Sequence, residues 1–404
     1  MATRTSAPTD GVAPSAEARV GAWFGRWLPG IRFPIAVWVV WRLWQLGLTL
    51  LLGGNDLVVS LRDTAFYYDG ERYLQITKQG YVLSQAQMPN TAFFPGVSWL
   101  AWPVWKLTSS EVWTGHVVAT VTGIAAFIAV WGVSKAWKDE AIARRAVVLL
   151  ALFPSSLFLW TFYSEGLFIA LGAGAVWADR RGKRWVAALL FVGLSTTRSV
   201  AILVPAVVVL ARILRERRVD RWSLTYAGAG ILGTLPVLWM MNHYTGDPFS
   251  FFGVQKDWGR GLSLPTTTIA DGFSNLWPDP KTIMVPALVA RNFDLWCLLI
   301  VGVAIGYLAV SGPSGREGTG LLDRFPKESW MIGVALVALP LCSTSLASFN
   351  RFVMANWVIY PAYASILMRL PRWWRRAAWV AIVVALGITT YHMVGRFSVD
   401  RFIG

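Results

Sequence analysis

Long apolar runs separated by short polar clusters recur along most of the chain. A membrane-spanning helix needs roughly 20 apolar residues, and shorter runs can span when protein neighbours cover them. About eleven runs meet this description and form one set of predicted spans: 33–53, 112–135, 144–160, 163–179, 185–197, 199–213, 222–242, 292–311, 329–346, 352–369 and 376–393. The pattern therefore predicts an all-α polytopic membrane protein.

Two segments depart from this pattern. Residues 1–32 are rich in Ala, Thr, Ser and Pro, which predicts a disordered cytoplasmic tail before a single transmembrane domain over 33–404. The stretch 93–107, FFPGVSWLAWPVWKL, is apolar but short, and it contains Pro95 and Pro103. We therefore expect it to be a re-entrant or interfacial piece that does not cross the membrane.

Basic residues gather in alternate short loops, as the positive-inside rule requires of cytoplasmic loops. With the N-terminus inside, all the strong clusters lie on the cytoplasmic side: Lys138, Arg144 and Arg145; Arg180, Arg181, Lys183 and Arg184; Arg212, Arg215, Arg217, Arg218 and Arg221; Arg316, Arg324 and Lys327; and Arg369, Arg372, Arg375 and Arg376. Two long loops, about 54–92 and 243–291, then face the exterior and are expected to contain interfacial helices. Long loops on rigid frames commonly carry function.

Composition agrees with the membrane assignment and excludes other classes. The 404 residues are 55% hydrophobic and 15% charged, with a mean hydropathy of +0.49, which is too apolar for a soluble core of that length. The net charge of +15 is spread over short loops, so it indicates topology and not a nucleic-acid partner. Cys297 and Cys342 lie inside apolar runs, which argues against a disulfide framework or a cysteine metal site.

Three charged residues lie at span ends where a charge is costly. Glu165 follows FPSSLFLWTFYS, Arg198 lies in LSTTRSV, and Arg351 lies in SFNRFVM. Such residues are paired or functional, although each arginine alone would equally fit a snorkelling anchor. Because the predicted topology brings all three and both long loops to one face, a functional site is favoured there.

The first long loop contains YYDGERYLQITKQGY. Asp69 stands beside Gly70, and a carboxylate with close access suits a general base that must reach a bound hydroxyl. The alternative is a solvated acid at a helix N-cap. Tyr68 and Tyr73 are candidate substrate contacts on the same predicted interfacial helix.

The second long loop opens with MNHYTGDPFSFFGVQKDWGR. Lys256 and Arg260 offer the positive charge that a phosphate requires, and Trp258 offers a stacking face for a sugar or an isoprene. Gln255 and His243 are further candidate substrate contacts. A plain surface loop, with His243 as an interfacial histidine, remains the alternative.

Taken in order, these segments resemble the PIG-V family of mannosyltransferases, which belong to the GT-C class of polytopic glycosyltransferases. The resemblance is carried by Asp69–Gly70 with Gly80–Tyr81 and Ala92 to Pro95, by FPSSLF and YSEGLF, by Thr197 to Ser199, by TGDPFSFFGVQKDWGR and by SFNRF. The family usually has a tryptophan before its Asp-Gly pair, whereas this chain has Tyr68. That departure leaves the carboxylate in place and concerns only the aromatic contact.

The resemblance implies a GT-C bundle that transfers mannose, with inversion, from a polyprenyl-phosphate-mannose donor to a hydroxyl of a lipid-linked acceptor on the non-cytoplasmic side. The acceptor would be a phosphatidylinositol mannoside, a lipoglycan or a glycosylphosphatidylinositol-like glycolipid. No glycine-rich nucleotide loop is present in the sequence. The basic, Trp-rich and Ala/Arg-rich composition is typical of a high-GC bacterium such as an actinobacterium. We expect a monomer in its plasma membrane, with the active site on the external side.

In this hypothesis Asp69 is the general base and Glu165 orients the acceptor or an arginine. The donor phosphate would bind Arg198, Lys256, Arg260 and Arg351, and the substrate contacts would be Tyr68, Tyr73, Gln255, Trp258 and His243. No cofactor or metal is expected, although Asp69 and Glu165 could share a divalent cation.

Two other classes stay open at this stage. A flippase or carrier for a lipid-linked sugar would place polar residues along a path through the midplane, and it commonly shows internal repeats, which we do not find here. A phosphoethanolamine or acyl transferase would need a nucleophile or a metal set that the sequence does not present.

Overall fold

The protein is described by a computed structural model over residues 16–53, 57–82, 89–257, 260–274, 293–311 and 325–398. Within these ranges the secondary structure is helical, apart from one isolated bridge between Leu262 and Ser343. The α-helices are α1 (Ala16–Gly53), α2 (Leu57–Phe66), α3 (Asp69–Gln79), α4 (Gly96–Thr108), α5 (Glu111–Trp137), α6 (Glu140–Leu152), α7 (Glu165–Arg180), α8 (Arg184–Ser195), α9 (Leu203–Glu216), α10 (Arg221–Thr245), α11 (Ser250–Val254), α12 (Pro265–Ser274), α13 (Phe293–Val310), α14 (Lys327–Leu341), α15 (Phe349–Ala355), α16 (Ile359–Arg369) and α17 (Arg372–Ser398). Short 3-10 helices cover Asn90–Ala92, Pro154–Leu159 and Ser199–Ile202.

The predicted all-α membrane architecture is confirmed. Among the described residues, five helices are long and apolar enough to cross a membrane: Gly30–Leu52, Glu111–Trp137, Arg221–Thr245, Phe293–Val310 and Arg372–Gly395. The remaining predicted spans coincide with helices of 11 to 16 residues, several of them flanked by 3-10 turns. The count of about eleven spans therefore stays a prediction.

The first helix begins earlier than the sequence pattern suggests. Helix α1 begins at Ala16, so it includes half of the segment 1–32 that composition assigns to a disordered tail. Residues 1–15 lie outside the described ranges. Helix α4 begins directly after Pro95 and has 13 residues, or about 20 Å, which is shorter than the apolar core of a bilayer. Its length agrees with the expected re-entrant or interfacial piece.

Small residues let the central helices approach closely. A Cβ atom at Gly132 of α5 would lie 2.3 Å from the Trp177 ring on α7, and one at Gly172 of α7 would lie 2.4 Å from the Trp357 ring. Membrane helices commonly use such small residues where their backbones pack. This packing fixes α7 among its neighbours, and α7 carries Glu165 as its first residue.

The two ends of α7 have different chemistry. At its C-terminal end, Arg180 forms an ion pair with Glu328 at the start of α14. Nearby, Arg212 lies 2.6 Å from Asp220 and 3.7 Å from Asp179. Helix α7 has 16 residues, so this basic end lies about 24 Å from Glu165. The arginine-rich loops and the predicted site therefore lie at opposite ends of α7, while the side that faces the cytoplasm stays a prediction.

Candidate active site

Arg351, on the short helix α15, bridges two carboxylates. Its Nη1 lies 2.6 Å from Oδ2 of Asp69. Its Nε and Nη2 donate to Oε1 of Glu165 at 2.9 and 2.7 Å. Glu165 is fully buried, whereas the Asp69 side chain is 17% exposed. Buried charges need such pairing, because desolvation would otherwise make them very costly. The structure therefore brings Glu165 and Arg351 together, as the predicted topology required, and adds Asp69 of the first long loop.

Arg198 approaches the same carboxylate. It lies before the 3-10 turn Ser199–Ile202, and its Nη1 is 2.8 Å from Oε1 of Glu165. Its guanidinium packs over the Phe352 ring at 4.7 Å. The second oxygen of Glu165, Oε2, is buried without a hydrogen-bond partner among the described residues. One oxygen of Glu165 thus orients both arginines.

Arg260 follows the short helix α11 and lies close enough to Arg351, Arg198 and Asp69 to interact with their charges. Its backbone N–H donates to the carbonyl of Gln255 at 2.9 Å, and its Nη2 donates to the carbonyl of Ala347 at 3.2 Å. Burial lowers the pKa of the Arg260 guanidinium, the charge of Arg351 lowers it further, and Asp69 opposes both effects. An arginine side chain nevertheless stays charged at neutral pH. In the described structure Arg260 has no carboxylate partner, so its remaining donors can serve an anion.

Asp294, near the start of α13, is a site residue that the sequence reasoning missed. Its Oδ1 accepts hydrogen bonds from the backbone N–H of Asn350 at 2.5 Å and from Nδ2 of Asn350 at 2.8 Å. Oδ1 of Asn350 accepts in turn from the hydroxyl of Ser155 at 2.6 Å. These bonds fix the helix turn that carries Arg351. Asp294 could have been found from the sequence as an acid at the start of an apolar span, which is the feature that marked Glu165.

Aromatic rings support the cluster. The Arg351 guanidinium lies 4.8 Å from the Phe158 ring and 4.7 Å from the Tyr163 ring. The Tyr163 hydroxyl donates to the carbonyl of Tyr67 at 2.8 Å. The Tyr73 hydroxyl is buried and donates to Oγ of Ser164 at 3.0 Å. Tyr73 therefore braces the segment before Glu165, and burial raises the pKa of this phenol.

The turn between α2 and α3 sets the position of Asp69. The packing of the backbone requires a glycine at position 70. A Cβ at Gly70 would lie 2.6 Å from the carbonyl oxygen of Ala65 and 3.4 Å from the Tyr163 ring. Tyr68, before the helix, has a φ of 54°, which is unusual for a residue with a side chain. Its half-buried ring packs near Tyr67 and Phe397.

The second loop contributes fewer residues than the sequence suggested. The exposed His243 stacks on Trp239, with ring centroids 5.5 Å apart, and its edge meets Tyr244. The Lys256 side chain is exposed, and within the described ranges no ion pair joins it to the Arg351 cluster. Trp258 lies outside the described residues. The structure therefore groups Arg198, Arg260 and Arg351, but it does not bring His243 or Lys256 to them.

Metal binding is the remaining chemical question at this cluster. Among the described residues, no group of three or more His, Cys, Asp and Glu side chains is arranged to hold a metal ion. The predicted sharing of a divalent cation by Asp69 and Glu165 meets an obstacle of geometry, since the Arg351 guanidinium binds both carboxylates.

The sequence of residues 55–216 matches the model of a family described as mannosyltransferase (PIG-V). This part of the chain is therefore similar to PIG-V mannosyltransferases. That region contains Asp69, Glu165 and Arg198, while Arg260 and Arg351 lie beyond it. The predicted family resemblance is confirmed. No curated protein sequence matches the chain.

Solved structures of an archaeal oligosaccharyltransferase share the fold. AglB from Archaeoglobus fulgidus, in complex with an inhibitory peptide and a dolichol-phosphate, is 13% identical with a TM-score of 0.51, and the match covers 95% of this chain and 57% of that one. The oligosaccharyltransferase from Archaeoglobus fulgidus tethered to an acceptor peptide is 13% identical with a TM-score of 0.50, covering 95% and 56%. This chain thus spans a little over half the length of the structures it matches. At such identity the likeness shows the fold alone, and that fold is of the GT-C type.

The family region and the fold agree on the class of enzyme. Residues 55–216 are similar to mannosyltransferases, and the helical membrane fold is like that of an oligosaccharyltransferase of the GT-C type. Both findings favour a mannosyltransferase of the GT-C type.

Proposed function

We propose that this PIG-V-type chain transfers mannose from polyprenyl-phosphate-mannose to a hydroxyl of a glycolipid acceptor, with Asp69 as the general base. The observation that supports this most directly is the difference between the two carboxylates bound by Arg351. Glu165 is fully buried beneath two arginines, whereas the Asp69 side chain remains 17% exposed. Asp69 is thus the carboxylate of this pair that an acceptor hydroxyl can reach.

The proposed reaction is a single displacement at the anomeric carbon. Asp69 takes the proton of the acceptor hydroxyl, whose oxygen forms the new bond to mannose C1. The bond from C1 to the phosphate oxygen breaks on the opposite face, which inverts the configuration and releases the polyprenyl phosphate. Negative charge develops on the leaving phosphate, so fixed cationic groups near it would stabilise the transition state.

The arginines divide between two roles in this proposal. Arg260 donates to one backbone carbonyl and has no carboxylate partner in the described structure, so it is our first candidate for the donor phosphate. Arg198 is the second candidate, because a single oxygen of Glu165 holds it. Arg351 already binds both carboxylates and orients Asp69. Glu165 in turn orients the two arginines, and we assign no step to Lys256 or His243.

The location and the acceptor belong to the same proposal. The arginine-rich loops lie at the end of α7 opposite to Glu165, and positive loops are typically cytoplasmic, so the site would face the exterior of a bacterial plasma membrane. A site at the membrane edge suits a glycolipid acceptor such as a phosphatidylinositol mannoside, a lipoglycan or a glycosylphosphatidylinositol-like lipid.

The test is a transfer assay with the purified full-length protein. Polyprenyl-phosphate-mannose is supplied with a panel of glycolipid acceptors, and the products are detected by mass spectrometry. We expect D69N to lower kcat by about 10²- to 10⁴-fold, the range typical of lost general-base catalysis. The matched control is D247N, because Asp247 is an exposed acid of the other external loop.

The control should keep activity within about twofold of the wild type, since a surface substitution usually has little effect. Unaltered turnover by D69N would disprove the base assignment. Consumption of donor without an acceptor, or movement of intact donor across vesicles with no product, would contradict the transferase proposal itself.

A further inference from the structure

Arg42 lies inside the apolar span Gly30–Leu52 of α1 and has no carboxylate partner among the described residues. Its Nη2 lies 3.2 Å from Nδ1 of His116, and its guanidinium stacks over the Trp160 ring at 4.1 Å. By contrast, Arg198, Arg212 and Arg351 each bind at least one carboxylate. A charged residue within a membrane helix is costly and is commonly functional.

His116 does not supply the missing negative charge. Its Nε2 lies 3.2 Å from the carbonyl oxygen of Leu61, and a carbonyl can only accept a hydrogen bond. Nε2 therefore carries the ring proton, and Nδ1 is the acceptor for the Nη2 of Arg42. The imidazole is neutral in this arrangement, so it orients the guanidinium without balancing its charge.

The polar groups that follow Arg42 along α1 are also unsatisfied. Nη1 of Arg42 is buried without a hydrogen-bond partner among the described residues. Gln45 is fully buried with both amide atoms unpartnered, and the buried hydroxyl of Thr49 is unpartnered as well. Residues spaced by three and four positions share one helix face. Guanidinium, amide and hydroxyl groups can all donate hydrogen bonds to a phosphate, so one anion would satisfy the N–H and O–H donors of the three side chains together.

This stripe is separate from the Asp69–Arg351 pair. Trp160, which covers Arg42, follows the 3-10 turn Pro154–Leu159, and the neighbouring rings of Phe158 and Tyr163 cover Arg351. Residues 158–163 therefore contact both Arg42 and Arg351 through different rings, and of these two arginines only Arg351 is paired with described carboxylates.

The surroundings favour a lipid as the source of such an anion. Leu43 and Trp44, next to Arg42 on α1, are 62% and 55% exposed in an apolar span, so this helix borders the membrane. His116 is in the second turn of α5, near the surface ion pairs that Glu111 makes with Arg62 and Lys78. The stripe therefore lies inside the apolar belt but close to the end of the bundle that holds Asp69. Only a phosphate attached to a lipid would be concentrated there.

We propose that Arg42, Gln45 and Thr49 form a second lipid-phosphate site, across residues 158–163 from the Asp69–Arg351 pair. The ligand is a phosphate or phosphodiester with an attached apolar chain, which describes both a phospholipid headgroup and a polyprenyl phosphate. This binding site does not depend on the proposed transfer reaction. A failure of the assay above would therefore leave it standing.

Binding is measured by native mass spectrometry of the full-length protein in detergent, with three probes. These are dioleoyl phosphatidylinositol, undecaprenyl phosphate and dioleoylglycerol, which has similar chains but no phosphate. We expect R42Q to weaken binding of one phosphate lipid by at least about tenfold, R42K to weaken it less, and dioleoylglycerol binding to stay unchanged. The phosphate lipid whose affinity falls identifies the source. The matched control is R62Q, because Arg62 is an exposed arginine at the same end of the bundle.

Q45L tests the same site without changing charge. It removes an amide that has no described partner, so we expect a higher Tm together with weaker binding of the same phosphate lipid. A purely structural role for the stripe predicts the higher Tm without the loss of affinity. The proposal is overturned if both phosphate lipids bind Q45L and a folded Arg42 variant as tightly as they bind the wild type. If R42Q does not fold, the comparison of R42K and Q45L with the wild type provides the test.

Discussion

Arg351 shows what can and cannot be inferred from a single residue. Its position near a span end marked it as costly, and the sequence assigned it to a donor phosphate. The structure places it between Asp69 and Glu165, with contacts of 2.6 to 2.9 Å to both. A planar guanidinium can bind two carboxylates at once through separate N–H groups, which is why the residue must be arginine.

Replacing Arg351 with lysine tests this bridging role. A lysine keeps the charge but presents a single ammonium, so it cannot hold both carboxylates in their present positions. We expect R351K to lower kcat by about 100-fold or more, as misplacement of a catalytic group typically does. The measurement is mannosyl transfer together with the thermal unfolding of the purified protein.

R62K is the matched control, since Arg62 pairs with Glu111 on the protein surface. Exposed ion pairs contribute about 0 to 1 kcal/mol, so this control should behave like the wild type. Wild-type turnover by R351K would show that a positive charge at this position is sufficient and that bridging of the two carboxylates is not required.

At the scale of elements, charged residues of the site lie where helices end. Glu165 begins α7, Arg198 precedes a 3-10 turn, and Arg351 lies on the seven-residue helix α15. The hydrophobic pattern placed the ends of predicted spans near these positions, but it did not predict the 3-10 turns and the short helix that form the breaks, because apolar residues continue on both sides of each one. Hydropathy reports burial in lipid, whereas the breaks depend on local turns and on contacts with other helices.

The close packing at the turn between α2 and α3 can be tested by replacing Gly70 with alanine. Because a Cβ at Gly70 would lie 2.6 Å from the Ala65 carbonyl oxygen, G70A must displace the backbone beside Asp69. We expect a loss of stability of about 1–3 kcal/mol, as for other overpacking changes, and a clear fall in kcat. Thermal unfolding and the transfer assay measure the two effects.

Gly47 provides the matched control within α1. A Cβ there would meet nothing within 4 Å, so G47A should leave activity unchanged and raise helix stability by up to about 1 kcal/mol. If G70A proved as stable and active as G47A, the close approach of α2 and α3 would not position Asp69.

At the scale of the whole molecule, the bundle separates two kinds of surface. Arg180, Arg212 and their acidic partners lie at one end of α7, and the Glu165 cluster lies at the other. The predicted orientation then follows from the positive-inside rule. It can be measured directly, because exposed side chains are available on both surfaces.

Single-cysteine labelling tests the orientation, with Cys297 and Cys342 replaced by alanine. K256C and R218C are suitable positions, since both side chains are exposed. In intact cells we expect a membrane-impermeant maleimide to label K256C, and to label R218C only after the membrane is permeabilised. Labelling of R218C alone in intact cells would reverse the topology, and equal labelling of both would contradict the separation of the two ends.

The sequence by itself determined the helical membrane class, the likeness to a mannosyltransferase family and the candidate charged residues Asp69, Glu165, Arg198 and Arg351. These conclusions rest on properties that are local in the chain, namely hydropathy, charge and short motifs. Only the tertiary structure decided that Arg351 bridges two carboxylates, one of them 186 positions away in the sequence, that Asp294 fixes its helix, and that Arg42 has no described counter-charge. The physical reason is that the pairing of buried charges depends on which helix ends the packing brings together.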